Sequence, residues 1–170
     1  MSKPIEPARK TILFIEDQEV HYEQVAAHLR LHGYKCRRVS RAESGVIRQI
    51  AMELKPIAAV VDFVLLSTSK SQREVDDAAS AYTKGKPDSS PHDASVDKEH
   101  YGVESIPILR QLCPGIKILV YSQYANQEEV SRQATLYQAD AGVPKRRDPD
   151  GNLLGDNAQE IAARVRKLIE

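Results

Sequence analysis

Three short runs, TILFI (11–15), AAVVDFVLL (58–66) and IKILVYS (116–122), are apolar almost throughout and rich in β-branched residues. Runs of this length read as strands, and strands apolar on both faces must be covered on both faces. The segments between them carry helical signals. Val20, Val25, Ala26 and Leu29 form a stripe that Gly33 stops, while Ser40 with Glu43 fits a capping box ahead of Val46, Ile47, Ile50 and Leu54. GVESIPILRQLC (102–113) places Ile106 and Leu109 inward and is closed by Pro114-Gly115. Asn126 with Glu129 caps a helix to about Gln138, and Asn157 with Glu160 caps a last one bearing Ile161, Val165, Leu168 and Ile169. YKCRRVS (34–40) supplies a more exposed strand and DAGVPK (140–145) a short one. Five strands alternating with helices predict an α/β domain with a doubly wound parallel sheet, because right-handed crossovers bring each strand back parallel to the last.

The 170 residues fit one domain, 1–170, with a sizeable core. Formal net charge is zero, so no overall field draws the chain to nucleic acid or to an anionic membrane. No apolar run is long enough to span a membrane, and MSKPIEPARK has no apolar signal core. Cys36 and Cys113 lack metal-ligand spacing and fit reduced thiols of a cytoplasmic protein. The five histidines form no ligand cluster and read as structural or exposed.

In such a sheet a ligand site lies beyond the carboxyl ends of the strands. Those ends carry Glu16 and Asp17 after the first strand, Asp62 on the third, Ser122 on the fourth and Lys145 on the fifth. Taken singly each has a plain explanation: a turn cap, an acidic first helical turn, a surface polar group. Together they bring three carboxylates, a hydroxyl and an ammonium to one rim. Carboxylates at that density need a hard cation, and Mg²⁺ binds through one or two carboxylates plus phosphate oxygens. Beside it Asp62 could attack a phosphoryl donor and hold the group as an acyl phosphate. Lys145 would neutralise the phosphoryl oxygens and Ser122 would hydrogen-bond one of them.

FIED with its acidic pair, Asp62, YGVE at 101–104, Ser122 after ILVY and Lys145 after AGVP together resemble the receiver domains of two-component response regulators. The resemblance covers 11–66 and 101–170. It implies a flavodoxin-like fold of strand order 2-1-3-4-5 and phosphorylation of Asp62 from the phosphohistidine of a sensor histidine kinase or phosphotransfer protein. It also implies Mg²⁺ held by Glu16, Asp17, Asp62 and the backbone carbonyl of Val64. The function expected is a stand-alone receiver that relays a two-component signal to a downstream protein, with a homodimer left open. The chain would then be no enzyme beyond catalysing its own phosphorylation and dephosphorylation. With nothing after the last helix, no DNA-binding effector is expected in this chain.

Several positions depart from the family pattern. Asp62 and Gly102 are forty positions apart, and 67–100 contains no Leu, Ile, Phe, Met or Trp, so this insertion is expected to be largely mobile. Within it, Ser71 with Glu74, and Val75, Ala78, Ala79 and Tyr82, fit a short capped helix at 71–82 that could serve in docking or as a lid. Gly142 stands where receivers carry a switch aromatic, and Arg146 replaces the proline that usually follows the lysine. Tyr121 or Tyr124 is the expected substitute aromatic, and Val64 with Tyr124 suggests slow autodephosphorylation. The alternative function is a pseudo-receiver, a phosphorylation-independent binding module acting through 67–100. An aspartate-nucleophile phosphatase would need a second Asp where Val64 stands. A flavodoxin would need a phosphate loop where Glu16 and Asp17 would repel the ligand. DPDGN (148–152) lacks the glycine position and closing glutamate of a calcium loop and reads as a turn.

Overall fold

The computed structural model describes residues 10–63, 102–123 and 126–170; Val64, Tyr124 and the 67–100 insertion with its expected helix lie outside the described residues. The strands are β1 (Thr11–Ile15), β2 (Lys35–Val39), β3 (Ala58–Asp62), β4 (Lys117–Ser122) and β5 (Ala141–Pro144). They alternate with α1 (Glu19–Leu31), α2 (Ser44–Leu54), α3 (Ile106–Leu112, entered through a 3₁₀ turn at Gly102–Ser105), α4 (Gln127–Leu136) and α5 (Gly155–Ile169). Every pairing is parallel and the sheet order is β2-β1-β3-β4-β5. This is the expected doubly wound α/β architecture.

Alternation along the strands divides the core into two layers. Leu13, Ile15, Val61, Ile118 and Val120 pack beneath α2, α3 and α4 with Ile47, Ile106, Leu109 and Val130. Ile12, Phe14, Val60, Leu119 and Tyr121 pack beneath α1 and α5 with Val25, Leu29, Ile161 and Val165. Since β2 is an edge, its residues alternate between exposed and half-buried, as its polar sequence requires.

Helix starts differ from the sequence reading at two of the expected caps. The Asn126–Glu129 capping box of α4 forms as expected. Ser40 with Glu43 does not make one: α2 begins at Ser44, and the Glu43 carboxylate turns to Arg41 instead. Asn157 is not a cap either. It lies inside the first turn of α5, fully buried, with its side chain committed elsewhere. In α1, Val25, Ala26 and Leu29 are buried as expected, but Val20 is 44% exposed, and His21 and Tyr22 take the buried positions of the first turn.

Two glycines set close approaches. A Cβ on Gly102 would lie 2.0 Å from the Asp62 carbonyl oxygen, so the chain after the insertion returns directly against the end of β3. A Cβ on Gly142 would lie 2.5 Å from the Val130 carbonyl oxygen, so α4 rests on the backbone of β5 with no space for a side chain. The Gln127 side chain further ties α4 to the Gly142 carbonyl at 3.0 Å. Gly142→Ala should therefore lower stability by about 1–3 kcal/mol, the usual cost of overpacking. Urea unfolding monitored by circular dichroism measures it, and an unchanged midpoint would mean that α4 shifts without cost.

Candidate functional site

The register gathers one set of side chains. Alternation puts Glu16, Asp62 and Tyr121 on the α1/α5 side of the sheet at its carboxyl end, where Lys145 joins them just past β5. The Lys145 ammonium is wholly buried and donates to Asp62 Oδ2 at 2.6 Å and Glu16 Oε2 at 2.8 Å. It also lies 4.2 Å from the centre of the Tyr121 ring, a cation–π distance. Its third direction meets His21 Nδ1 at 3.5 Å. Both Glu16 oxygens are engaged: Oε1 accepts the Gln18 amide at 2.8 Å, and Oε2 accepts the Tyr121 hydroxyl as well as Lys145.

The electrostatics follow from this packing. Burial pushes the Glu16 carboxyl up, but Lys145, Tyr121 and the Gln18 amide together hold its pKa below the usual value. For Asp62 burial wins. With Glu16 and Asp17 adding to it against the opposing Lys145, its pKa lies well above the carboxylate range. Burial works against the Lys145 charge, yet Asp62 and Glu16 outweigh it and raise the lysine pKa. Burial, then the Glu16 and Asp62 carboxylates, push Tyr121 well up and keep its hydroxyl protonated. Burial and the facing Lys145 lower His21, which stays a neutral imidazole.

Backbone clips fix the loops that present these groups. Arg38 on β2 donates to the carbonyls of Glu16 (3.3 Å) and Asp17 (3.1 Å), holding the acidic turn. The Lys145 amide donates to the Ser122 carbonyl at 2.7 Å. Asn157 brackets Lys145: its Nδ2 donates to the Pro144 carbonyl at 3.1 Å and its Oδ1 accepts the Arg146 amide at 2.8 Å. A proline at 146 would have no such amide. Asn157 thus fixes the backbone on both sides of Lys145.

The donor set fits a hard cation. Glu16, Asp17 and Asp62 each offer an oxygen, and these atoms all lie within 4.8 Å of one another. Octahedral Mg²⁺ needs neighbouring oxygens about 3 Å apart and opposite ones about 4 Å apart. Among the described residues no nitrogen or sulfur ligand joins the cluster: His21 directs Nε2 to the Gly151 carbonyl at 2.8 Å and Nδ1 toward Lys145.

Of the residues named from sequence, Glu16, Asp17, Asp62 and Lys145 converge, and Ser122 stands on the same rim, buried, at the end of β4. Val64 is outside the described residues. The expectation that Tyr121 replaces the missing switch aromatic is corrected: Tyr121 lies on the sheet face opposite Gly142, buried and bonded to Glu16. The sequence reading does not single out His21 or Arg38, and it gives Asn157 a different role, that of a helix cap. A helical projection pairing His21 with Val25 and Leu29 would have marked His21 as buried, but only tertiary structure reveals its contact with Lys145.

The two carboxylates make opposite contributions to stability as pH varies. Glu16, with a lowered pKa, adds stability that is present above the ordinary carboxylate value and lost as pH falls through the lowered one. Asp62, with a raised pKa, loses stability as pH rises through that raised value. Without a cation, Asp62→Asn should therefore stabilise the protein by about 1–2 kcal/mol near neutral pH, since Lys145 keeps Glu16 as its counter-ion. In urea unfolding the gain should shrink as pH falls through the raised pKa of Asp62, where the wild-type carboxylate takes up its proton. A destabilised variant would show that the Asp62–Lys145 pair outweighs the carboxylate repulsion.

No protein-family model matches the sequence, and no curated protein matches it. Solved structures do match. A response-regulator receiver domain from Methanospirillum hungatei is 18% identical, with 94% of this chain and 96% of that one covered and a TM-score of 0.56. A Thermotoga maritima response regulator is 14% identical, with 95% and 98% covered and a TM-score of 0.57. A Burkholderia pseudomallei response regulator, solved with a phosphorylated aspartic acid and a calcium ion, is 23% identical, with 91% and 72% covered and a TM-score of 0.52. The chain has the fold of response-regulator receiver domains.

Proposed function

We propose that the protein is a phosphoacceptor receiver and that Asp62 takes a phosphoryl group from the phosphohistidine of a sensor histidine kinase or phosphotransfer protein. The observation that carries this reading is the Lys145 ammonium held between Asp62 and Glu16 beside a three-carboxylate cluster. An Asp62 oxygen attacks phosphorus as the donor's N–P bond breaks, and the imidazole leaves with the electron pair and takes a proton. Lys145 is already within hydrogen-bond reach of Asp62 and turns to the phosphoryl oxygens as charge develops there. Ser122 supplies a hydroxyl donor from the other face of the sheet. Glu16, Asp17 and Asp62, with the Val64 carbonyl of the family pattern, would hold Mg²⁺, which would supply positive charge to the transferring oxygens.

In this role the chain is a signalling domain that passes its state to a downstream protein, and it works in the cytoplasm. No described helix is long and apolar enough to cross a membrane. One observation favours the second reading, a phosphorylation-independent binding module acting through 67–100. The contact between Gly142 and Val130 removes the space in which a switch aromatic would turn.

Intact mass after incubation with acetyl phosphate and Mg²⁺ separates the two. We expect one phosphoryl adduct, dependent on the metal and absent from Asp62→Asn. Lys145→Met should form it at least about tenfold more slowly, since it lacks the charge that stabilises the transferring oxygens. A folded protein that accepts no phosphoryl group, from acetyl phosphate or from a phosphohistidine protein, would favour the binding module.

A further inference from the structure

The ammonium of Lys145 has three protons, and three acceptors surround it: Asp62, Glu16 and His21 Nδ1. His21 is wholly buried in the first turn of α1. Its Nε2 donates to the Gly151 carbonyl at 2.8 Å, so Nδ1 carries the lone pair that faces Lys145 at 3.5 Å. Glu16 Oε2 lies 3.9 Å from Nδ1, and Arg147 also acts electrostatically on the ring, opposing its protonation as Lys145 does.

Gly151 belongs to the 148–152 turn, which is tightly built. Its φ is +86°, its amide donates to the Asp148 carbonyl at 3.0 Å, and the Asn152 amide donates to Asp148 Oδ1 at 2.9 Å. One helical turn beyond His21, the Gln24 side chain grips Leu153 through both amide atoms, donating to its carbonyl and accepting from its amide, each at 2.9 Å. The turn is therefore held to α1 at two points, and one of them touches the lysine.

We propose that His21 is a positioning residue that ties Lys145 to the 148–152 turn through its two ring nitrogens, so that a phosphoryl group on Asp62 is felt at that turn. This rests on the phosphoacceptor reading above. New phosphoryl oxygens draw the ammonium forward. The neutral imidazole at 3.5 Å holds it more weakly than the carboxylates at 2.6 and 2.8 Å, so that contact yields first. The ring moves only together with the Gly151 carbonyl to which it is bonded. Pro149 and Asp150, exposed at the tip, would carry the change to the surface.

Amide spectra of the ¹⁵N-labelled full chain test this, with Mg²⁺ and beryllofluoride as the phosphoryl mimic. In wild type the Phe63 amide, next to Asp62, and the Gly151 and Asn152 amides should all shift on addition of the mimic. In His21→Leu the Phe63 shift should remain while the Gly151 and Asn152 shifts fall several-fold. His21→Asn keeps an acceptor near the Nδ1 position but cannot reach Gly151, and it carries the same expectation should the leucine variant not fold. Equal turn shifts in the variants, or a silent turn in wild type while Phe63 responds, overturn the role of His21 and leave the phosphoacceptor reading standing. Silence at Phe63 as well as at the turn overturns both.

Discussion

An ammonium with no water around it must be matched by anions, and the site is organised around that requirement. Lys145 lies inside the protein, and its charge survives because Asp62 and Glu16 close on it from two sides. The arrangement overshoots. With Asp17 beside them, three carboxylates face one ammonium, and the excess falls on Asp62, whose burial already disfavours its ionised form. A cation bound among these oxygens would relieve electrostatic tension of this kind, so the same crowding that costs stability leaves a ready cation site. Tyr121 and His21 complete the cage as neutral walls, one presenting a ring face and the other a lone pair.

Such a cage requires loops that do not drift. Each charged residue stands at a strand end, where the sheet fixes its start but not its exit. The exits are fixed by polar side chains bonded to backbone: Arg38 to the Glu16 and Asp17 carbonyls, Asn157 on both sides of Lys145, Glu16 itself to the Gln18 amide. These bonds contribute modestly to stability one by one. Their larger effect is to restrict the angles at which the carboxylates and the ammonium meet.

What the sequence makes legible and what it hides divide along the same line. Strands β1, β3 and β4 could be read because a buried parallel strand must be apolar on both faces, and the acidic pair, Asp62 and Lys145 could be placed because each interrupts or ends such a run. The clips could not. Asn157 three residues ahead of Glu160 has the spacing of a cap, and local pattern cannot tell a cap from a side chain reaching back to Pro144 and Arg146. Ser40 and Glu43 show the converse, a capping pattern that the helix does not use. On α1 the first turn buries His21 rather than Val20, because a polar residue on the buried face is explained by partners distant in sequence, here Gly151 and Lys145.

The sheet separates the reacting groups from the hydroxyl. Glu16, Asp62, Tyr121 and Lys145 gather on the α1/α5 side, while alternation turns Ser122 toward the side of α4. A change beginning at Asp62 therefore has two directions in which to spread. Toward α4 it meets Gly142, which has no side chain to reorient and is pressed against the Val130 carbonyl. Toward α1 it meets Lys145, a buried imidazole and a turn bonded to that imidazole, an unbroken line of polar contacts. Close packing against a glycine resists graded movement, whereas hydrogen bonds of unequal length rearrange in order of their strength. The α1 side is thus the one on which a continuous polar path leads away from Asp62, while the α4 side is closed by packing on a glycine.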